Sequence, residues 1–410
     1  MTGGEPGRSG RPRVFDDVRV VEMSRFSPVA FASVILADLG ADVIKVEPTL
    51  ASGVSGTAVS PGREERAGQR SSWINRNKRS LTLDYRTVAG RRVLLDLAAR
   101  ADVVLEGFRP GALDKYGLGY AGLSAVNPGI IVCSLSGYGH DGPYGPVLGH
   151  DLNYLSFAGV LDLLGVPGDP GIPLNLVADL GGGALFATVA VLSALHARTR
   201  TGRGQHLDMS YLDGTVALLG ATSVMKSRLT AGDPPRFGTG LHSGLYPYYT
   251  TYACRDGKGI AVGCAETSTW RALCAALDTP ELEPAGPATA DRTREPREHH
   301  RLARKRLAEV FAARDRDDWF DRLSPVATCV SKVSQVDELF ADPQLRHRSM
   351  VVDGTVDGVD ELNIMSPVHV SGDGDLDHVR APYRGEHTAE ILAWLGHSAH
   401  IEQYRSGGVV

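Results

Sequence analysis

Residues 18–46, VRVVEMSRFSPVAFASVILADLGADVIKV, contain the pattern on which the predicted fold depends. The β-branched run Val18–Glu22 predicts a strand. The apolar residues of Ala30–Leu39 recur at helical spacing, and Gly40 is typical of a helix end. Val43–Val46 predicts a second strand. Strand, helix and strand in so short a stretch indicate a βαβ unit, in which the two strands pair in parallel through a right-handed crossover.

The same alternation continues to about residue 225. Further strands are predicted at Ser80–Asp84, Val103–Glu106, Ile130–Leu135 and His206–Ser210, and further helices at Thr87–Arg100, Ala184–Ala197 and Leu212–Met225. Ala184–Ala197 is apolar almost all round, which predicts a helix buried on several sides. The pattern is typical of an open, mostly parallel α/β sheet, and such sheets bind ligands beyond the carboxyl ends of their strands.

The composition changes after about residue 228. Two apolar or aromatic runs, Tyr246–Ala253 and Gly259–Ala265, flank the turn signal Asp256-Gly257 and predict a hairpin. Residues 279–300 are polar and predict a solvated loop. Further helices are predicted at Ser268–Leu277, Leu302–Ala313, Asp317–Leu323 and Thr388–Leu395. The expected organisation is a disordered tail over 1–13, a large α/β domain over 14–228, a small α+β domain over 229–335, and a segment over 336–410 that returns to the large domain.

The chain has 410 residues, of which 42% are hydrophobic, and a formal net charge of -5. This length exceeds what one core usually supports, in agreement with two domains. The slight acidity argues against nucleic acids and anionic membranes as partners. The longest apolar run, Ala184–Leu195, is too short for a membrane span, and residues 1–13 lack the apolar region of a signal peptide. We therefore expect a soluble, cytoplasmic protein.

The five cysteines are scattered along the chain and form no Cys-x-x-Cys pair. This spacing predicts reduced thiols that pack as small hydrophobic side chains. The pairs His299-His300 and His397/His400 lack neighbouring ligands of the right kind, so the sequence predicts no metal site.

Two further stretches suggest ligand binding but have plainer interpretations. Gly117–Gly122 has the glycine spacing of a dinucleotide site, but it follows Asp114-Lys115-Tyr116 and not a strand, so the required context is missing. Asn75–Arg79 places three cations before a predicted strand and fits either a solvated face or a phosphate site. Arg109 lies just past a predicted strand and either binds a ligand or ties a loop.

Residues 149–183 contain the two candidate proton-transfer groups, His150 and Asp179. The plainer alternatives are a core histidine and an N-cap aspartate at a helix start. Gly181–Gly183 follows Asp179, and each glycine weakens a helix by roughly 1 kcal/mol relative to alanine. That loss is understandable if another backbone or a ligand approaches closely. A helix start at Asp179 would also offer N–H groups to a developing oxyanion.

These stretches resemble family III CoA-transferases and, within that superfamily, the α-methylacyl-CoA racemases. The resemblance rests on Ala37–Val43, Asn77–Leu81 and Phe108–Gly111, which the whole superfamily shares, and on Gly149–Tyr154, which resembles the racemase form. It implies the family III fold, with a large Rossmann-like domain of open parallel sheet and a smaller α+β domain. It also implies an interlocked homodimer and no cofactor beyond the CoA of the substrate.

The resemblance also implies roles for individual residues. Asp179 matches the carboxylate that forms acyl-enzyme anhydrides in the transferases and transfers protons in the racemases. His150 matches the second proton-transfer group of the racemases, and Glu266, after the strand Gly259–Ala265, matches the carboxylate that pairs with that histidine. The implied CoA- and substrate-binding residues are Leu83, Asp84, Tyr85, Arg86, Arg109, Lys115, Gly149, Asp151, Leu152, Asn153 and Tyr154.

Three departures from the racemase pattern concern the substrate. Thr267-Ser268 follows Glu266, where the racemase pattern has Pro-Gln after the glutamate. Pro48 follows Glu47, where the family often has an arginine that implies a contact with a CoA phosphate. The racemases move acyl chains over a methionine-rich surface, whereas this chain has six methionines in all. We therefore expect a different acyl pocket.

The predicted function is epimerisation of 2-methyl-branched or related α-substituted acyl-CoA thioesters through an enolate. His150 and Asp179 would lie on opposite faces of the α-carbon, with Glu266 holding the imidazole in one tautomer. The alternatives are a CoA-transferase with Asp179 as nucleophile, an acyl-CoA enolate isomerase or cyclase of specialised metabolism, and a non-catalytic acyl-CoA binding protein.

Overall fold

The computed structural model describes residues 13–24, 27–49, 73–165, 169–231, 241–289, 297–356, 359–370 and 379–410. Contacts divide these into two units. The first takes up the described parts of Met1–Tyr154, Leu174–Val216 and His347–Val410, and the second those of Leu155–Pro173 and Ala217–Arg346. The sequence assigned 155–173 to the large domain, whereas their contacts lie with the second unit. The predicted disordered tail lies outside the described residues apart from Arg13.

The first unit contains a six-stranded, wholly parallel sheet with the order β3-β2-β1-β4-β5-β6. Its strands are β1 (Arg19–Met23), β2 (Asp42–Glu47), β3 (Lys78–Thr82), β4 (Val103–Glu106), β5 (Ile131–Ser136) and β6 (His206–Ser210). Every predicted strand of the large domain is present, and the predicted open parallel α/β sheet is confirmed. The strand order reverses direction between β1 and β4, and such a point opens a crevice at the carboxyl ends of the strands.

The helices of this unit follow the predicted alternation. They are α1 (Ser27–Asp38), α2 (Val88–Ala98), α3 (Tyr120–Val126), α4 (Asp151–Phe157), a π-helix (Leu176–Leu185), α5 (Phe186–Thr201), α6 (Tyr211–Gly220), α13 (Thr388–Leu395) and α14 (Ile401–Ser406). The last residues of α4, after Tyr154, and of α6, after Val216, are counted with the second unit. Thr87 caps α2, because its side chain accepts a hydrogen bond from the Gly90 N–H. A hairpin of β10 (Val351–Val356) and β11 (Val359–Ile364) completes the unit.

The prediction of a helix buried on several sides at Ala184–Ala197 is wrong. Helix α5 buries Ala187, Val191 and Ala194, but Val189 is 57% exposed on the same helix. By length and composition alone, Leu176–Thr201 is the one helical stretch among the described residues that could cross a membrane. The core helix of a globular protein passes the same test, so this is weak evidence.

The C-terminal segment shares the core of the sheet domain. Ile391, Leu392 and Leu395 of α13 pack in one buried cluster with Leu94 and Leu97 of α2. Backbone hydrogen bonds add to this packing, since the Asp84 N–H donates to the Val409 carbonyl and the His387 N–H to that of Ser80. Residues far apart in the sequence therefore form one hydrophobic core.

The interpretation of Asn75–Arg79 as a solvated face is wrong, because Arg76 and Lys78 are buried, whereas the interpretation as a phosphate site stays a prediction. Arg76 is buried and bonds Asp38 with two guanidinium nitrogens. Lys78 Nζ is fully buried 2.8 Å from Glu22 Oε2, and Arg79 pairs with Asp42. The three cations neutralise carboxylates of the neighbouring strands and of α1.

The Glu22–Lys78 pair is buried completely. Burial alone would raise the pKa of Glu22, but the ammonium groups of Lys78 and Lys45 and the hydrogen bonds of Lys78 and Ser33 lower it to about 2. Because this lies below the ordinary value of 4.5, the ionisation of Glu22 stabilises the folded state fully above about pH 4.5. That contribution is lost as the pH falls towards 2. Burial lowers the pKa of Lys78 to about 8 against the opposing charge of Glu22, so both charges of the pair are present between these two pKa values.

The second unit contains the predicted hairpin. Strands β7 (Tyr249–Ala253) and β8 (Gly259–Gly263) pair antiparallel, β9 (Val330–Val333) pairs with β8, and Gly257 supplies the positive φ of the turn. The helices of this unit are α7 (Ser223–Ala231), α8 (Thr267–Ala276), α9 (Glu298–Phe311), α10 (Arg316–Leu323), α11 (Val336–Leu339) and α12 (Pro343–His347).

The prediction of a solvated loop over 279–300 is wrong at its beginning and at its end, where α9 begins at Glu298 and His300 is buried. Pro280–Ala285 forms a 3-10 helix that buries Leu282 and Ala285 against the core of this unit. Residues 290–296 of the predicted loop lie outside the described residues.

Replacing Lys78 with methionine tests the buried pair. The change removes the ammonium group that hydrogen-bonds the buried Glu22 carboxylate and leaves Lys45 Nζ, 3.9 Å away, as its one remaining cation among the described residues. We expect a loss of about 3–5 kcal/mol in the free energy of unfolding, measured with urea at pH 7. The double variant E22L/K78M removes both charges and should lose less. If K78M alone unfolds like the wild type, the pair does not stabilise the sheet.

Candidate active site

A cavity of about 930 Å³ opens in the first unit beyond the carboxyl ends of its strands. Its wall includes Pro28 after β1, Gly107–Pro110 after β4, Ser136 and Gly137 at the end of β5, and Tyr211 after β6. This is the edge of the sheet at which the sequence predicted ligand binding. His150 and Asp179, the two predicted proton-transfer groups, both line the same cavity.

His150 directly precedes α4 and is exposed, so the alternative of a core histidine is wrong. Its backbone is well fixed. The His150 N–H donates to Asn153 Oδ1 over 3.0 Å, and the His150 carbonyl accepts from the Asn153 N–H over 2.8 Å. The main chain at His150 is thus held as a helix cap while its ring faces the cavity.

Asp179 lies inside the π-helix, which begins at Leu176 with Asn175 as its N-cap. The alternative of an N-cap aspartate is therefore wrong, whereas Asp179 does lie in the first turn of the helix that contains Gly181–Gly183. The N–H groups of Ala178 and Asp179 donate to Asp151 Oδ1 over 3.1 and 2.8 Å. Those two donors are thus already used and are not available to an oxyanion.

The Asp179 carboxyl group titrates near neutral pH. Burial and the negative charge of Asp151 raise its pKa to about 6, while a hydrogen bond from Asn175 and the charge of His150 act in the opposite direction. A carboxyl group with this pKa exchanges protons readily in the range where histidine also does.

The glycines after Asp179 permit the close backbone approach that the sequence suggested. A Cβ on Gly214 would lie 1.8 Å from the Gly182 carbonyl oxygen, so the π-helix and α6 touch backbone to backbone. A Cβ on Gly183 would lie 2.2 Å from Cδ1 of Tyr211. Gly183 therefore leaves room for an aromatic ring of the cavity wall.

Aromatic side chains form part of that wall. The Tyr154 hydroxyl donates to the Gly149 carbonyl over 2.6 Å. Its ring stacks on Tyr211 with 5.2 Å between centroids and meets the edge of Tyr138 at the same distance. The sequence predicted Tyr154 but not Tyr211, whose only signal was its place directly after β6.

The other residues predicted to bind CoA or substrate are divided between this cavity and its surroundings. Arg109, Gly149, Asn153 and Tyr154 line the cavity, whereas Leu83, Asp84, Tyr85, Arg86, Lys115, Asp151 and Leu152 do not. The Arg109 side chain is exposed and makes no hydrogen bond or ion pair within the described part of the chain. This leaves its guanidinium available, in contrast to the alternative of an arginine that ties a loop.

The residues after β3 form a compact group of their own. Leu83 is buried in the core, and Arg86 bonds both carboxylate oxygens of Asp84 over 2.8 Å. Tyr85 packs edge-on against Phe108 and Tyr116, and Lys115 lies 5.9 Å above the Tyr116 ring. Phe108 is the neighbour of Arg109, so this group adjoins one wall of the cavity.

Glu266 lies in the second unit, where it is exposed and precedes α8. Its carbonyl accepts a hydrogen bond from Thr269 Oγ1 over 2.9 Å. Its pairing with His150 stays a prediction.

The remaining motifs have structural explanations. Gly117–Gly122 follows a 3-10 helix and not a strand, and a Cβ on Gly122 would lie 1.9 Å from the Gly117 carbonyl oxygen. The glycines there allow a tight turn into α3. All five cysteines are free thiols, and no group of three or more potential metal ligands occurs among the residues with described positions.

Comparison with known proteins agrees with this architecture. The model of CoA-transferase family III matches residues 15–388. The chain belongs to CoA-transferase family III. The family assignment confirms the resemblance found in the sequence, including the family III fold.

Relatives within the family are named for two different reactions, racemisation and CoA transfer. The chain is 35% identical to the α-methylacyl-CoA racemase of Mus musculus, with 94% of each chain covered. It is 31% identical to a succinyl-CoA–D-citramalate CoA-transferase of Chloroflexus aurantiacus, again with 94% of each covered. A crystal structure of a CaiB/BaiF family protein from Brucella suis superposes with a TM-score of 0.76 at 32% identity, covering 94% of this chain and 100% of that one.

Replacing Gly183 with alanine tests the close contact with Tyr211. The added methyl group must displace the ring or the π-helix, and we expect a loss of about 1–3 kcal/mol in the free energy of unfolding. Gly220, which ends α6 with open space around it, is the matched control, and G220A should change stability by less than about 1 kcal/mol. Equal, small effects of both changes would contradict the tight packing.

Proposed function

We propose that this family III chain is a racemase or epimerase of 2-methyl-branched or related α-substituted acyl-CoA thioesters. The observation that carries the proposal is that His150 and Asp179 line one cavity, with the pKa of Asp179 raised to about 6. Epimerisation needs one proton-transfer group on each face of the α-carbon. A partly buried carboxyl and an imidazole provide such a pair.

The proposed reaction is a 1,1-proton transfer. In one direction neutral His150 removes the α-proton, the C–H electrons move into the thioester carbonyl to form an enolate, and protonated Asp179 delivers a proton to the opposite face. In the other direction the Asp179 carboxylate removes the proton and the imidazolium of His150 delivers one. The active pair therefore carries one proton, and its two pKa values belong to the pair as a whole.

The similarity to the mouse α-methylacyl-CoA racemase supports this reaction. The proposal needs no cofactor beyond the CoA of the substrate, since the reaction neither oxidises nor reduces the substrate. The exposed guanidinium of Arg109 suits a CoA phosphate. Asp84, Tyr85, Arg86 and Lys115, with the backbone of Leu83, are proposed to hold other parts of CoA, and Gly149, Asn153 and Tyr154 to line the acyl pocket.

We further propose a homodimer in which Glu266 of one copy supports His150 of the other. Exposed apolar side chains on the π-helix, α5 and α6 support this proposal, because a second copy of the chain could cover them. They are Leu176, Leu185, Val189 and Val216, each between 47% and 58% exposed. The net charge of -5 supports a cytoplasmic enzyme without nucleic-acid or membrane partners.

A CoA-transferase is the second candidate, because the chain is 31% identical to the Chloroflexus transferase over nearly its whole length. In that case Asp179 attacks the thioester carbonyl, forms a mixed anhydride and releases CoA thiolate. Hydroxylamine would then trap an acyl group on Asp179, and CoA would pass to a second acid.

Incubation of a single epimer of a 2-methylacyl-CoA in deuterated water tests the proposed reaction. We expect loss of optical activity together with deuterium at the α-carbon. His150→Ala should slow exchange from one epimer by about 10²–10⁴-fold, the usual contribution of a general base, while CoA affinity stays unchanged. If the α-carbon keeps its hydrogen and hydroxylamine reacts with an acyl group on the enzyme, the results favour the transferase instead.

Replacing Arg109 with alanine tests the CoA contact. Loss of a charge-assisted hydrogen bond to phosphate should raise the KM for acyl-CoA by about tenfold or more, with kcat little changed. Arg92→Ala, which removes an exposed cation from α2, is the matched control. If both variants show the same KM as the wild type, Arg109 does not bind CoA.

A further inference from the structure

The buried carboxylate of Asp151 joins two pieces of chain that are far apart in the sequence. Asp151 is the first residue of α4 and is 7% exposed. Its Oδ1 accepts hydrogen bonds from the backbone N–H groups of Ala178 and Asp179, 27 and 28 residues further along the chain. This residue was predicted to bind substrate, but its side chain does not line the cavity.

We propose that Asp151 is a positioning residue that caps the π-helix from outside and thereby holds the Asp179 carboxylate at the cavity in which His150 also lies. The inference rests on the proposed proton-transfer function. It assigns Asp151 an action through Asp179 and not through the substrate.

The geometry explains why such a cap is needed. N–H groups in the first turn of a helix have no acceptor within the helix, and the first internal bond of the π-helix runs from the Leu180 N–H to the Asn175 carbonyl. The N–H groups of Ala178 and Asp179 would therefore stay unsatisfied without Asp151. An unsatisfied buried donor is unfavourable enough to shift the backbone, and Asp179 would move with it.

The second oxygen of Asp151 adds an electrostatic effect. Asp151 Oδ2 is buried and has no hydrogen-bond partner within the described residues, so its negative charge acts on its surroundings with little compensation. That charge is the second-largest cause, after burial, of the raised pKa of Asp179. Burial likewise raises the pKa of Asp151 itself, against its two backbone hydrogen bonds.

The other groups that face Asp179 are few. The charge of His150 and the Asn175 side chain lower the pKa of Asp179. Tyr154 and Tyr211 are neutral neighbours whose own pKa values are raised by burial and by the Asp179 charge. Among the described residues, Asp151 is thus the one carboxylate whose charge acts on Asp179; Arg109 lines the same cavity.

Two substitutions separate the charge of Asp151 from its hydrogen bonds. Asp151→Asn retains an oxygen that can accept from both N–H groups but removes the charge. Asp151→Ala removes both. Asp141→Asn removes an exposed carboxylate from the loop around the cavity and serves as the matched control.

The test is the pH profile of kcat/KM for α-proton exchange in deuterated water. Without the charge of Asp151 the ionised form of Asp179 is favoured, so the doubly protonated pair forms only at lower pH. We expect the acidic limb of the D151N profile to move to lower pH by about 1 unit. D151A should lose about 10²-fold in kcat with little change in KM, the usual effect of a misplaced catalytic group, and D141N should match the wild type.

An acidic limb of D151N that coincides with that of the wild type would overturn the proposal, whether or not D151A folds. Titration of ¹³C-labelled aspartate carboxyls, with D179N to assign the signal, reads the same shift without any reaction. If the wild type catalyses no exchange, the proposed function fails. The titration of Asp179 then still tests the role of Asp151. Its midpoint moves in D151N only if the charge of Asp151 affects the pKa of Asp179.

Discussion

The buried ion pair of Glu22 and Lys78 is the constraint on which the sheet domain depends. Glu22 lies on β1 and Lys78 on β3, with β2 between them, and neither side chain reaches water. Lys78 Nζ also donates to the Ala30 carbonyl over 3.0 Å, and Ser33 Oγ donates to Glu22 Oε2 over 2.7 Å. Two charges removed from water are tolerated only with such complete pairing. The pair therefore ties α1 to β1 and β3.

The candidate site adds a second constraint, which is close contact between backbones. The π-helix carrying Asp179 touches α6 at Gly182 and Gly214, and its first N–H groups are bound by Asp151. A π-helix is rare and is often found at functional sites. Here it places a partly buried carboxyl group beside a second carboxylate, and that environment raises the pKa of Asp179 towards neutrality. The fold thus raises the pKa of Asp179 mainly by burying the carboxyl group and secondly by holding the charge of Asp151 close to it.

Membership of CoA-transferase family III explains the sheet order and the shared motifs, but it includes both racemases and transferases. A carboxylate at Asp179 serves either reaction, as acid and base or as nucleophile. His150 distinguishes them in our proposal, because it is exposed at the cavity with its backbone fixed by Asn153. A transferase needs no second proton-transfer group on the opposite face of the α-carbon.

The sequence by itself determined the local elements and the edge of the sheet at which the candidate cavity opens. Hydrophobic periodicity and turn residues predicted every strand of the parallel sheet and the Asp256-Gly257 hairpin, since each depends on neighbours in the chain. Tertiary structure decided the rest. Lys78 lies 56 residues from Glu22 in the sequence, so a charge run looked like a solvated face or a phosphate site. The π-helix start, the capping role of Asp151 and the place of Tyr211 likewise depend on partners that meet only when the chain folds.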